Sequence, residues 1–163
     1  MMRRVALVGS LALLANTLIG CGPDRKPIPP GAQQVHVVVT GSEVRLDPST
    51  VRAGVIYVVL DTPETSVGFA QRKRTAAETP GPLTDDDLAR LGRGDTEGTS
   101  IGGFDGLGCS PEQRAASLGQ MGPCGNVFEI VLTPGKHAFF AGQIDGMPPG
   151  DYSGQIAVLE VVE

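Results

Sequence analysis

Tryptophan is absent from this chain, five Phe and two Tyr are the only aromatic residues, and histidine occurs twice. Enzymes need a nucleophile with its base, paired carboxylates or a metal triad, and each of these requires convergent polar residues. His36 and His137 both fall in strand-like segments, where a structural or surface role is the ordinary one. Asp61 with Glu64, or Asp145 with Asp151, become acid–base pairs only by assumption. The chain is therefore not expected to be an enzyme. Basic residues are also in short supply, 13 against 18 acidic, for a net charge of −5. That balance excludes the basic stripe that nucleic-acid phosphates require and a polybasic patch for anionic lipid. There is no internal repeat and no long low-complexity tract. The 23 Gly and 13 Pro would suit disorder, but segments rich in Val, Ile, Tyr and Phe cluster between them. A packed domain is expected.

What is present begins with Arg3 and Arg4, followed by an uncharged run over residues 5–18. Its length fits a signal-peptide apolar region of about 7–15 residues. As a helix it would span roughly 21 Å, short of the ~30 Å hydrocarbon core, which favours a cleaved leader over a permanent span. The run closes on Leu18-Ile19-Gly20-Cys21, which resembles the lipobox of bacterial lipoproteins. The resemblance implies cleavage before Cys21, a diacylglyceryl thioether on its sulfur and often an acyl group on its new amine. One acyl chain binds a membrane marginally, whereas two or three hold durably. The implied partner is thus the membrane through Cys21, with the domain outside the bacterial cell membrane, or on an outer membrane if there is one. Loss of Arg3 and Arg4 with the leader makes the mature chain more acidic still.

Residues 21–32 carry Pro23, Pro27, Pro29 and Pro30 and read as a semi-stiff tether. The domain proper is expected over residues 33–163. Strands are expected at residues 33–40, 43–47, 55–61, 127–132, 137–141 and 154–162, with Gly41-Ser42 and Thr133-Pro134-Gly135 as turns. This spacing predicts an all-β antiparallel sandwich. A Gly-rich insertion, about residues 72–125, should hold two short helices. Thr84 caps the first, Asp85, Asp86 and Asp87 sit at its positive end, and Gly92 follows Leu91. The three aspartates lack the alternating ligands of a calcium loop. Ser110, Pro111 and Gln113 open the second helix, which runs through Ala115 and Leu118 to Gly119. With Cys21 given to lipid, Cys109 and Cys124 are expected to pair in an oxidising compartment. A metal pair there would lack a nearby His.

Glu43-Val44-Arg45-Leu46-Asp47-Pro48-Ser49-Thr50-Val51-Arg52-Ala53-Gly54 and the apolar strand after it resemble the opening of a cupredoxin. Leu132-Thr133-Pro134-Gly135-Lys136-His137-Ala138-Phe139-Phe140, then a loop and Gly154-Gln155-Ile156-Ala157-Val158, are similar to its close. The likeness covers residues 35–69 and 127–162 and implies a Greek-key sandwich carrying the insertion. Cupredoxins bind copper through two His, one Cys and usually an axial Met. Counted onto this chain, the Met falls at Tyr152, one His near Met147, the Cys near Ala141 or Gly142, and the other His around Val67. None matches, so the resemblance implies the fold without a blue-copper centre, and no cofactor or metal ligand is expected.

The reading that follows is a membrane-anchored, non-catalytic binding or accessory module of the cell envelope, contacting an envelope protein through the insertion and the 141–154 loop. The alternative is copper handling through the soft or imidazole ligands Met121, Met147, His36 and His137.

Overall fold

A computed structural model of the chain describes residues 26–41, 43–61, 67–73, 77, 79–104, 109–122, 124–141 and 155–163. Among them are eleven strands and two short helices. The strands are β1 (Lys26–Pro27), β2 (Gln34–Thr40), β3 (Glu43–Asp47), β4 (Thr50–Arg52), β5 (Gly54–Leu60), β6 (Val67–Arg72), β7 (Thr99–Phe104), β8 (Gln120–Met121), β9 (Val127–Leu132), β10 (Gly135–Ala141) and β11 (Ile156–Val162). Helix α1 (Asp85–Leu91) lies between β6 and β7, and α2 (Pro111–Ala115) between β7 and β8.

The strands form two sheets, β1-β8-β9-β5-β2-β3 and β4-β11-β10-β6-β7. In β2 the period of two sends Val35, Val37 and Val39 inward. They meet Ile56, Val58 and Leu60 of β5 and, from the second sheet, Phe139 and Leu159 in one buried core. Each such side chain contributes about 1.5–3 kcal/mol of burial.

The sheets are mixed, where the sequence pattern predicted antiparallel ones. β2 pairs parallel with β5, β11 with β4, and β8 with β9. For the first two the cause lies at Pro48-Ser49, where the chain leaves β3 in the first sheet and enters β4 in the second. Having crossed the sandwich there, it comes back as β5 running in the direction of β2. The expected connection at residues 48–54 therefore contains a strand.

A second, smaller cluster covers the outer face of the second sheet, where Leu83 and Leu91 pack on Ala70, Ala138 and Phe140. Helix α1 can sit there because β6 offers Gly68 opposite Phe140. A methyl group at Gly68 would occupy the space of the Phe140 ring. The cap reads as expected: Thr84 Oγ1 accepts from Asp87 N at 3.2 Å, and Asp87 Oδ2 accepts from Thr84 N at 2.9 Å.

Helix α2 likewise starts at the Ser110 cap, but it ends at Ala115 instead of reaching Leu118. The chain must turn there. Gln120 N donates to Ser117 O at 3.2 Å, and Gly119 N donates to Asn126 Oδ1 at 2.6 Å. Strand β7 lies within the expected insertion, paired with β6 over six residues.

The Pro-rich stretch expected as a tether is held to the sheet from Lys26 onward. Lys26 and Pro27 pair with Met121 and Gln120. Ile28 and Ala32 then pack with Met121 over Tyr57, Val59 and Val127 on the outer face of the first sheet.

Candidate functional site

Three polar constellations stand out once the strands are in place. The first is on the outer face of the first sheet, where β2 turns His36 outward beside the end of β5. His36 Nδ1 lies 3.0 and 3.2 Å from the two carboxylate oxygens of Asp61. Both side chains are well exposed, and Asp47 lies across from His36 on β3. The pair orients an imidazole, yet no hydroxyl or thiol among the described residues is bonded to its ring. Glu64, Asp145 and Asp151, the other carboxylates weighed for acid–base work, lie outside the described residues.

His137 is the opposite case. It is the third residue of β10, with no exposed surface. Its ring stacks on Phe69 at 6.0 Å between centroids. Nε2 lies 3.0 Å from Thr133 O, and since a carbonyl only accepts, Nε2 carries the proton. Nδ1 is left as a buried lone pair with no hydrogen-bond partner among the described residues. Burial pushes the His137 pKa down, with the Thr133 hydrogen bond opposing. The fold thus holds a neutral ring, while the unfolded chain takes up a proton below its ordinary value of about 6.5. Stability is therefore complete above about pH 6.5 and falls as the pH drops from there towards the lowered folded value. Asp95 and Glu112, held low chiefly by hydrogen bonds from Arg90 and Ser110, act only in the more acidic carboxylate range. Urea unfolding at a series of pH values is expected to show this mildly acidic loss in the parent protein and a flatter profile in His137→Gln. An identical slope in both would remove His137 as its cause.

The third constellation is the cleft lined by Asp87, Arg90, Asp95, Glu97 and Gly98. Its cation is already engaged. Arg90 donates to both Asp95 oxygens at 2.8 and 3.2 Å, and Glu97 lies 3.6 Å away. An incoming anion would have to displace two carboxylates, so the cleft does not suit one.

Of the soft ligands considered for copper, Met121 is half-buried in the apolar cluster around Tyr57. Met147 lies outside the described residues, as do Cys21, Gly142 and Tyr152. Among the described residues, no three of His, Cys, Asp and Glu gather where they could hold a metal ion. Nor is any helix there long and apolar enough to cross a membrane. Asp85, one of the three helix-start aspartates, meets Lys136 Nζ at 2.6 Å.

Cys109 and Cys124 are joined as a disulfide, with Cα atoms 5.6 Å apart. The loop they close is stitched to the sandwich by Asn126, which is buried. Its Nδ2 donates to Leu60 O at 3.0 Å, while its Oδ1 accepts from Gly119. No sequence signal marked Asn126, because its partners are 7 and 66 residues away.

Gly98-Thr99-Ser100-Ile101-Gly102 spells the Gly-x-Ser-x-Gly of a nucleophile elbow. That device needs its Ser on a sharp strand-to-helix turn. Here Ser100 lies within β7, opposite Gln71, and not on such a turn.

Two further positions meet. Val67, around which the cupredoxin resemblance expects a copper-ligating His, and Ala141, which with Gly142 is one of the two positions near which it expects the Cys, are cross-strand partners between β6 and β10. Val67 has no exposed surface. Neither side chain can ligate a metal. Compared with known proteins, the chain matches no family model and no curated protein.

Proposed function

We propose that this chain is an extracytoplasmic lipoprotein whose cupredoxin-like, Greek-key domain serves as a non-catalytic binding or accessory module of the bacterial envelope. The observation that carries the reading is the meeting of Val67 and Ala141 across β6 and β10. A cupredoxin frame would bring its ligand-bearing positions together in this way, and here both are apolar. A frame kept without its ligands suits contact between surfaces better than electron transfer, which needs a thiolate-bound copper. The Cys109–Cys124 disulfide supports export, because such bonds persist in oxidising compartments. The lipobox at Leu18-Ile19-Gly20-Cys21 supplies the anchor, with no nucleic-acid partner and no cofactor.

Elemental analysis of the protein purified from membranes tests the module against copper handling. The expected result is no stoichiometric metal, together with site-specific photo-crosslinks in intact cells from exposed loop positions to one envelope protein. Copper bound one to one, and lost on replacing Met147 or His36, would overturn the module reading.

A further inference from the structure

The position of Lys26 limits where a lipid on Cys21 can hold the domain. Only residues 22–25 lie between them, and at ~3.3–3.6 Å per residue the five steps reach at most about 18 Å. Lys26 belongs to β1, the outermost strand of the six-stranded sheet, with β3 at the opposite edge. Five strand spacings of about 4.8 Å separate the two edges by roughly 24 Å. A pose that sets the β3 edge on the bilayer is therefore beyond the reach of the anchor.

Surface chemistry runs in the same direction. In the turn that enters β8, next to β1, Leu118 is 54% exposed. Val131 on β9 is 70% exposed and its cross-strand partner Val55 45% exposed, but they lie towards the end of β9 away from its Val127–Met121 pairing with β8, with the exposed Glu129 between. At the far edge, β3 turns Glu43, Arg45 and Asp47 outward, with Arg45 Nε donating to Glu43 Oε1 at 2.9 Å. His36 and Asp61 lie just inside that edge. Exposed apolar groups gain by leaving water for the headgroup boundary, whereas the charges keep their hydration only by facing away.

We infer that the β1–β8 edge, with Leu118, is seated on the phospholipid surface, and that the β3 edge points away from it. The inference rests on the lipoprotein reading above. The occupant is a bilayer and not a second protein, because at most about 18 Å of chain separates Lys26 from the lipid-bearing residue. The charged side of the sheet, around His36, Arg45 and Asp47, is then left clear of the membrane.

The test uses the full-length lipidated protein in vesicles whose phospholipids carry bromine on the upper acyl chain. A small fluorescent amino acid replaces Leu118 in one preparation and Arg45 in another, both exposed positions. Quenching at position 118 is expected to exceed that at position 45 several-fold. A flexible Gly/Ser insert between Asp24 and Arg25, which lengthens the tether, should reduce the difference while leaving the protein on the vesicles. Equal quenching without the insert, or stronger quenching at position 45, would overturn the seating and leave the anchor intact. Failure of the unaltered protein to float with the vesicles would overturn the lipid anchor itself.

Discussion

Truncating Phe139 to alanine is expected to cost the domain about 3–5 kcal/mol, the range for removing a buried aromatic ring. Phe139 is fully buried at the centre of β10 and lies opposite Phe69 in register, with ring centroids 4.9 Å apart. It reaches from the second sheet into the layer formed by Val35, Val37, Ile56 and Val58 of the first. These side chains are themselves held on strands and cannot close over the hole. Since a domain of this size has about 5–15 kcal/mol of total stability, the variant loses a large share of it. Urea unfolding followed by far-ultraviolet circular dichroism checks this, and Phe139→Leu should lose less because it keeps more of the volume. A loss below about 1 kcal/mol for the alanine variant would mean that the ring does not bridge the two sheets.

The second large effect concerns the disulfide. Replacing both Cys109 and Cys124 with alanine should cost about 3 kcal/mol, as expected for opening a loop with a sequence separation of 15. The consequence reaches beyond the loop. The cross-link lies beside β8, which carries β1 on its other side. Amides of Lys26 and Gln120 should therefore exchange hydrogen faster in the variant, while those of β5 and β10 stay protected. Unchanged unfolding midpoints and unchanged exchange at the β1–β8 edge would show that the bond is dispensable.

What the sequence made legible follows physical range. Local rules placed the Thr84 and Ser110 caps to the residue, because each capping box is closed within four residues. Apolar runs placed β5 and β10, whose both-sided burial follows from the helix and strands laid over them. Strand β7 escaped notice because Thr99-Ser100-Ile101-Gly102-Gly103-Phe104 has two glycines and little β-branching, and only its partner β6 makes it a strand. Strand β4 has three residues and exists only through its pairing with β11. The parallel pairings depend on where the chain changes sheets, which no periodicity records.

The candidate site shows the same division. Pairing of Cys109 with Cys124 could be argued by assigning Cys21 elsewhere. The His36–Asp61 contact joins β2 to the residue just past the end of β5, 25 residues apart, and it became visible only in three dimensions. Burial of His137 belongs to the same class. Nothing in Lys136-His137-Ala138 says that the ring will stack on Phe69 from another strand.

The central claim is that Cys21 is the lipid-bearing first residue of the mature protein and that the domain behind it works from the membrane surface. Mass spectrometry of the N-terminal peptide, released from protein extracted out of the membrane fraction, tests it most directly. The account predicts a peptide beginning at Cys21 whose mass includes a diacylglyceryl group on the sulfur. A peptide that retains the residues before Cys21, or one with Cys21 as an unmodified thiol, would contradict it.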